Sequence, residues 1–184
     1  MSLVIAFIGS SGAAMAGDMR EISFLGNDSR IENLESELYT GYIRTDEELK
    51  RRATALGVEI RVRDDKTKVR EMGGVLIGEV TAVDFGIVRR RRLYASVDAY
   101  AITEGEDEKF TLTAKGRGSN FVVLGNAISK DIAHRCIREQ WKAGTLEDAI
   151  RVLMLSMDAA SRVTASVSKN YVLVQTTRKA DLPV

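Results

Sequence analysis

The chain has 184 residues, of which 45% are hydrophobic and 29% are charged, a composition typical of a folded globular protein rather than a disordered or fibrous one. Lysine and arginine total 27 and aspartate and glutamate total 26, so the formal net charge of +1 gives no general attraction to nucleic acid or membrane surfaces. No apolar run approaches the roughly 20 residues that span a bilayer, and no signal peptide opens the chain. We therefore expect a cytoplasmic protein with one domain over residues 1–184, without nucleic acid and without membrane insertion.

The chain contains one cysteine, Cys136, and one histidine, His134. A single cysteine cannot form an internal disulfide, which fits a reducing compartment. Zinc sites built from several Cys and His ligands are excluded, and a Ser-His-Asp triad would have to use His134, in a segment with helical periodicity. We expect neither a metal nor a cofactor. The other group that titrates near neutral pH is the α-amino group of the chain, which directs attention to the N-terminus.

The beginning of the chain is dominated by patterns typical of strands. Residues 3–8 form a continuous apolar run, and the turn Gly9-Ser10-Ser11-Gly12 separates this run from a second one, which predicts a hairpin of two buried strands. Two more runs, the second of them short, also predict strands. The predicted strands are 3–8, 13–16, 19–25 and 37–43.

A helix is predicted from Thr45, because Glu48 three residues later completes a capping box and Gly57 ends the periodic stretch. Residues 58–63 then alternate between polar and apolar positions. Charged turn residues and another short alternating stretch follow, which predicts a polar β-hairpin within residues 57–75.

In the second half of the chain, the sequence predicts several strands, then two helices and then a last strand. Glycine-rich residues 115–119 precede two helices, the second of which begins with a capping box of Thr145 and Asp148. This order of elements predicts an α+β protein with helices packed on sheets. The strands predicted here are 75–83, 85–88, 93–102, 110–114 and 171–176.

Ser2 is the candidate nucleophile. A chain that begins Met1-Ser2 normally loses its initiator methionine, which leaves one residue that carries both a hydroxyl group and a free amine. The amine can accept the hydroxyl proton directly or through a water, as in nucleophiles activated by an adjacent N-terminal amine. A buried strand that follows immediately would hold this residue in place, whereas most N-termini fray.

The opening Ser2-Leu3-Val4-Ile5-Ala6, a turn, and then Gly17-Asp18-Met19-Arg20 resemble the N-terminal-nucleophile hydrolases, and among them the proteasome β-type subunits. The resemblance implies a four-layer αββα sandwich of two antiparallel sheets flanked by helices. It places Ser2 at the nucleophile and Asp18 at the supporting carboxylate, with Arg20 beside it.

Two later segments carry the resemblance further. Gly41-Tyr42-Ile43-Arg44-Thr45-Asp46 resembles the segment in which a glycine N–H forms the oxyanion hole, which implies this role for Gly41. Residues Gly116, Arg117, Gly118 and Ser119 resemble the glycine and serine loop that leads into the third helix of the family.

The sequence also departs from the family pattern. The first lysine is Lys50, so with a short deletion Arg30 falls nearest to the catalytic lysine of the family. Arg117 replaces the serine of the Gly-Ser-Gly loop, where its guanidinium could bind a substrate carboxylate, and Arg162 aligns with the later supporting aspartate. These changes argue against ordinary proteolysis. The family's second helix is replaced by the hairpin in residues 57–75, so we expect a monomer rather than a proteasome-type ring.

The opening also resembles the connectases, a family of proteasome-related protein ligases of methanogenic archaea. The residues that carry this resemblance are Ser2-Leu3-Val4-Ile5-Ala6-Phe7 and Ala16-Gly17-Asp18-Met19-Arg20-Glu21-Ile22. The resemblance implies an enzyme that cleaves a Lys-Asp-Pro-Gly-Ala motif after the aspartate, near the N-terminus of one component of a methyltransferase. It would hold the N-terminal fragment on Ser2 and pass it to an amine that begins Pro-Gly-Ala. Two alternatives stay open, a proteasome-like peptidase or amidohydrolase and a non-catalytic binding or scaffold protein.

Overall fold

The computed structural model describes residues 3–84, 87–106 and 109–184, with the side chains of all of these except 82–84 and 87. Ser2 and the first two residues of the predicted strand 85–88 lie outside the described residues. The helices are α1 Asp28–Tyr39, α2 Asp46–Leu56, α3 Ala127–Gln140 and α4 Leu146–Val163. The strands are β1 Val4–Ile8, β2 Ala13–Asp18, β3 Glu21–Leu25, β4 Glu59–Arg63, β5 Val69–Met72, β6 Val75–Asp84, β7 Ile87–Ser96, β8 Ala99–Glu106, β9 Lys109–Arg117, β10 Asn120–Leu124 and β11 Tyr171–Thr176.

The strands form three antiparallel sheets. The N-terminal sheet has the order β10-β1-β2-β11, so the first two strands lie in its middle and are flanked by strands from late in the chain. The meander sheet has the order β5-β6-β7-β8-β9, in which each strand pairs with the next one along the chain. The small sheet contains β3 and β4 alone. The α+β class predicted from the sequence is confirmed.

Strand β1 is buried on both faces, which explains its unbroken apolar sequence. Because successive side chains of a strand point to opposite faces, Val4, Ala6 and Ile8 pack against the meander sheet. Leu3 and Ile5 pack on the other side, against α3 and α4. The start of the chain is therefore held between a sheet and a helical layer.

Two glycines let the N-terminal and meander sheets approach closely. A Cβ atom on Gly17 would lie 2.7 Å from a methyl carbon of Val69, and one on Gly78 would lie 2.7 Å both from the sulfur of Met15 and from a methyl carbon of Val4. Real Cβ atoms do not approach other atoms so closely. Glycine at both positions thus sets the separation of the two sheets near the start of β1.

Helices α1 and α2 form a separate apolar cluster with the small sheet. The predicted strand 37–43 is wrong, because residues 28–39 form α1. The side chain of Asn27 caps this helix by accepting a hydrogen bond from the Ser29 N–H at 3.1 Å. Leu34 and Leu38, four residues apart, supply its buried face, so helical spacing outweighed the local strand signal. The predicted start of α2 is confirmed, since the Thr45 hydroxyl accepts from the Glu48 N–H at 3.2 Å.

The predicted hairpin within residues 57–75 needs correction. The segment does contain two strands, but β4 pairs with β3 and β5 pairs with β6. The two strands therefore belong to different sheets, and residues 64–68 connect them. Alternating polarity predicted the strands correctly, but it carries no information about which strand each one pairs with.

The predicted strand 93–102 is two strands, because the chain turns between β7 and β8. At this turn Asp98 has a φ of 63°, a left-handed conformation that aspartate tolerates better than most residues.

The capping box that opens α4 is confirmed for Thr145 and Asp148. Among the described residues, no helix is both long and apolar enough to cross a membrane.

Replacing Gly78 by valine should lower the free energy of unfolding by about 1–3 kcal/mol, because the new side chain would have to displace Met15 and Val4. Urea unfolding can be followed by the fluorescence of Trp141, whose ring lies 5.1 Å from Phe7 and 5.2 Å from Phe121 between centroids. Thr111→Val, at an exposed strand position, is the control and should change stability by less than about 0.5 kcal/mol. Equal stability of the two variants would contradict the close approach of the sheets.

Candidate active site

Asp18 is the centre of the candidate site. It lies at the end of β2, opposite the start of β1, and is completely buried. Its carboxylate accepts three hydrogen bonds, from the Leu3 N–H at 2.8 Å, from the Arg20 N–H at 2.9 Å and from the Lys68 ammonium at 2.8 Å. The Asp18 N–H in turn donates to the Leu3 carbonyl at 3.0 Å. The buried carboxylate of Asp18 thus holds the backbone of Leu3 in place.

Lys68 is the second member of the site, and its side chain is only 4% exposed. Its ammonium donates to the Asp18 carboxylate and, at 2.6 Å, to the Arg20 carbonyl. Burial lowers the pKa of Lys68 because it disfavours the charged form, while the negative charge of Asp18 acts in the opposite direction. The pair is therefore a buried ion pair in which the lysine releases its proton more readily than an ordinary lysine does.

The expectation that Arg30 supplies the positive charge needs correction. Arg30 is exposed on α1, where its guanidinium donates to the Leu56 carbonyl at the end of α2, at 3.3 Å. Lys68 instead contacts Asp18, from a point 50 residues further along the chain. No pattern around Lys68 marks it as a site residue, and the close packing of Val69 on Gly17 and of Gly78 on Val4 brings it to the start of β1.

The predicted nucleophile Ser2 lies outside the described residues, so the site is described through Leu3, Asp18 and Lys68. Gly41, the predicted oxyanion donor, lies in the loop between α1 and α2 with a φ of 87°. A Cβ atom there would lie 3.0 Å from the side chain of Ile128 at the start of α3, so both backbone conformation and space favour glycine.

The loop that contains Gly41 is tied to the surroundings of Asp18. The Ile43 carbonyl accepts from the Ala165 N–H at 3.3 Å, and the Ala165 carbonyl accepts from the guanidinium of Arg20 at 2.8 Å.

The predicted site residues Gly116, Arg117, Gly118 and Ser119 lie at the opposite end of the N-terminal sheet. Strand β10 runs antiparallel to β1, so Asn120 pairs with Ile8 and Leu124 pairs with Val4. At about 3.3 Å per residue, the five steps along the chain from Leu3 to Ile8 separate this segment from Asp18 by roughly 17 Å. The Gly118 N–H instead donates to the Asp98 side chain at 3.1 Å. The glycine pattern resembled a loop before a helix, but β10 lies in between.

Arg162 is also outside the site. It is exposed and forms an ion pair within α4 with Asp158, at 3.0 Å. The buried polar groups just beyond α4 are neutral instead. The Ser166 hydroxyl accepts from the Asn126 side chain at 2.9 Å and lies 2.9 Å from the Thr164 hydroxyl. The Ser168 hydroxyl accepts from the Met19 N–H at 2.8 Å, which fixes the residue next to Asp18.

Arg20, predicted as a supporting residue, contacts the site through its backbone and points its side chain away from it. Its guanidinium, 8% exposed, donates two hydrogen bonds to Asp64, both at 2.8 Å. It donates two more to Asp46, at 2.5 and 3.1 Å. The hydrogen bonds with Asp64 are the largest cause of a raised pKa for Arg20, whereas burial acts against it. Arg20 also lowers the pKa of Asp64.

The arrangement has the chemistry of an acid–base site. Among the described residues, no group of three Cys, His, Asp or Glu side chains is placed to hold a metal ion. What the site does contain is a buried carboxylate and a buried ammonium, held at the first residues of a buried strand.

Two antiparallel sheets packed face to face, with the first strand inside one of them and helices on its outer face, define the fold class of the proteasome-like N-terminal-nucleophile proteins. The profile of the family described as "Connectase MJ0548-like, N-terminal domain" matches residues 1–183, and the chain belongs to this family. Comparison with curated protein sequences gives no match.

Solved structures that match this chain include structures of Anbu and of HslV. A Gly-1 mutant of Anbu from Hyphomicrobium sp. strain MC1 has a TM-score of 0.49 and 12% identity, covering 98% of this chain and 85% of that one. Anbu from Yersinia bercovieri, an ancestral beta-subunit, has a TM-score of 0.44 and 12% identity, covering 95% and 80%. HslV from Trypanosoma brucei has a TM-score of 0.42 and 11% identity, covering 94% and 98%.

Asp18→Asn should destabilise the protein more than Lys68→Met does. The first change leaves a buried ammonium without a counter-charge, at a cost of roughly 3–5 kcal/mol, whereas the second leaves a carboxylate that still accepts two backbone N–H groups. Combining both changes should recover part of the loss in urea unfolding. Lys66→Met, which breaks the exposed pair with Glu21, is the control and should cost less than about 1 kcal/mol.

The stability difference between the wild type and Lys68→Met should depend on pH. Because folding lowers the pKa of Lys68, the unfolded chain holds more protons than the native protein between that lowered pKa and about 10.4. The wild type should therefore gain stability relative to Lys68→Met as the pH rises toward about 10, by at most about 1.4 kcal/mol per pH unit. Urea unfolding at several pH values measures this slope, and a falling difference would contradict the lowered pKa.

Proposed function

We propose that this protein is an N-terminal-nucleophile acyl transferase that acts as a protein ligase through Ser2. The observation that carries the proposal is the buried pair of Asp18 and Lys68 beside the first residues of β1, with the Asp18 carboxylate bonded to the Leu3 N–H. The family to which the chain belongs supports the same conclusion.

The chemistry needs an N-terminal serine whose amine is unprotonated. Once Met1 is removed, the amine of Ser2 can accept the proton of its own hydroxyl while the hydroxyl oxygen attacks a carbonyl. A nearby positive charge disfavours the protonated form of an amine, so Lys68 would keep the base free at neutral pH. The hydrogen bond from Leu3 to Asp18 would prevent the terminus from fraying.

The negative charge that develops on the substrate oxygen needs a donor. We assign this role to the N–H of Gly41, the glycine of the segment that resembles the oxyanion-hole segment of the family, whose φ of 87° favours glycine. The loop of Gly41 is connected to Arg20 through Ala165, which links the position of the donor to the position of the base.

The proposed substrate is a protein segment with the sequence Lys-Asp-Pro-Gly-Ala, and the candidate carrier is one component of a methyltransferase. Attack of the Ser2 hydroxyl on the aspartate carbonyl forms an ester and releases the proline amine, which takes up the proton held by the Ser2 amine. The acyl group can then move from the oxygen to the nitrogen of Ser2, which gives an amide that resists water. The reverse shift regenerates the ester, and an amine that begins Pro-Gly-Ala displaces it, so that one peptide bond is broken and one is formed.

Intact-mass spectra before and after incubation with a Lys-Asp-Pro-Gly-Ala peptide test the proposal. We expect a mass that shows the loss of Met1, then a gain equal to the fragment that ends at the aspartate, and reversal on addition of a Pro-Gly-Ala peptide. Ser2→Ala should abolish the gain. Ser10→Ala, an exposed serine in the turn at the other end of β1, is the matched control and should behave as the wild type.

Three other results would contradict the proposal in different ways. Cleaved peptide without any ligated product would favour a peptidase or amidohydrolase on the same site. An unchanged enzyme mass with intact peptide would favour a binding or scaffold protein. Ligation by the Ser2→Ala variant would remove Ser2 from the mechanism altogether.

A further inference from the structure

Lys68 reaches Asp18 from a stretch of chain that has no strand pairing of its own. Residues 64–68, which we term the connecting segment, join β4 in the small sheet to β5 in the meander sheet. Its backbone is held by two hydrogen bonds, from the Lys66 N–H to the Met19 carbonyl at 3.1 Å and from the Glu79 N–H to the Lys68 carbonyl at 2.9 Å. Because the segment lies between two strands and belongs to neither, side-chain contacts add to these two hydrogen bonds in placing its last side chain.

The strongest side-chain anchor of the connecting segment is Asp64, at its start. Both carboxylate oxygens of Asp64 accept from the Arg20 guanidinium at 2.8 Å, one from Nε and one from Nη2, which is the two-point geometry of a strong arginine–carboxylate pair. The remaining guanidinium hydrogens bind Asp46 at the start of α2 and the Ala165 carbonyl. All five N–H groups of the guanidinium are thus engaged, so its position is fixed from three sides.

Arg20 also contacts both Asp18 and Lys68 through its backbone. The Arg20 N–H donates to the Asp18 carboxylate at 2.9 Å, and the Arg20 carbonyl accepts from the Lys68 ammonium at 2.6 Å. Arg20 therefore holds one end of the connecting segment with its side chain and the other end with its carbonyl. Asp64 is the first and Lys68 the last residue of the segment, so the two contacts hold it at both ends.

We infer that Asp64 is a positioning residue, which acts through Arg20 to keep the Lys68 ammonium beside Asp18 and the N-terminus. The inference rests on the proposed function, because it concerns how the positive charge reaches the Ser2 amine. Asp46 fixes the far side of the guanidinium and Asp64 fixes the segment that carries the lysine. Loss of the Asp64 contact frees the connecting segment and moves positive charge away from the base.

The neighbouring Asp65 provides a matched comparison. It lies in the same segment and also pairs with an arginine, Arg63, but its side chain is 65% exposed and the pair does not touch the site. Removing the charge of Asp65 thus changes the net charge as much as removing that of Asp64 does. The arginine paired with Asp64 contacts the site and the arginine paired with Asp65 does not, so Asp65→Asn controls for the loss of one negative charge in this segment.

The test compares Asp64→Asn with Asp65→Asn in the ligation of a Lys-Asp-Pro-Gly-Ala peptide to a Pro-Gly-Ala peptide, with kcat and KM measured against pH. We expect Asp64→Asn to lower kcat near pH 7 about tenfold at little change in KM. A weaker positive field raises the pKa of the base, so the acid limb of the profile should move upward by roughly one pH unit and the rate should recover at high pH. Asp65→Asn should match the wild type, and Asp64→Glu, which keeps the charge, should restore part of the rate.

A purely structural role for Asp64 would give a different result. In that case kcat would fall only in proportion to the folded fraction, measured by Trp141 fluorescence, and the acid limb would stay in place; this outcome overturns the inference. If Asp64→Asn does not fold, the same kinetic measurement is made on Arg20→Lys. Lysine keeps the positive charge but cannot form both hydrogen bonds to the Asp64 carboxylate. An unmoved acid limb in Arg20→Lys likewise overturns it.

Parallel measurement of Ser2→Ala separates the two proposals. Ligation by Ser2→Ala overturns the proposed function whatever Asp64→Asn does. An inactive Ser2→Ala together with an Asp64→Asn variant that matches Asp65→Asn overturns the positioning role of Asp64 alone.

Discussion

The structure around the start of β1 depends on the hydrogen bonds that the carboxylate of Asp18 accepts. It is completely buried, so it must be compensated by hydrogen bonds, and it receives one from each of three directions. One comes from Leu3, just before β1, one from Arg20, between β2 and β3, and one from Lys68 in the connecting segment. A single buried charge thus joins three parts of the chain, and each of them has to arrive at its proper place before the charge is satisfied.

The ionic groups around Asp18 are arranged so that each buried charge has a partner. Lys68 is paired with Asp18, and Arg20 is paired with Asp46 and Asp64. Buried ion pairs contribute little net stability compared with apolar residues, but breaking one of them is costly. The main effect of these ion pairs is therefore to fix positions rather than to add stability. They specify where one ammonium group lies, which apolar packing in the same place could not do.

The sequence predicted those parts of the site that lie next to each other along the chain. Asp18 ends β2 and Arg20 follows it in a Gly-Asp-x-Arg pattern, and the capping residue Thr45 marks the loop that holds Gly41. Lys68 could not be predicted in this way. Its place depends on the packing of β5 and β6 against the N-terminal sheet, which brings Lys68 to a residue 50 positions earlier in the chain, and local periodicity does not encode such a contact.

The incorrect predictions have similar physical causes. Residues 37–43 have strand-like composition, but the first three of them complete α1, whose apolar face packs on the small sheet. Gly118, with a φ of 87°, allows a sharp change of direction between β9 and β10, at the end of the sheet remote from Asp18. In the first case the packing of an apolar helix face outweighed the local composition, and in the second the local signal of a turn was correct but its place in the fold was not.

The strand order of the N-terminal sheet also has a consequence for synthesis of the protein. β1 pairs with β10 and β2 pairs with β11, so Asp18 lies opposite Tyr171 in the sheet. Contacts of such long sequence separation form late, and a chain emerging from the ribosome cannot close this sheet until β11 has been made. Asp18 and Lys68 are synthesised early, but their surroundings are completed by the last strand. A nascent chain therefore carries the residues of the site long before it carries a working site.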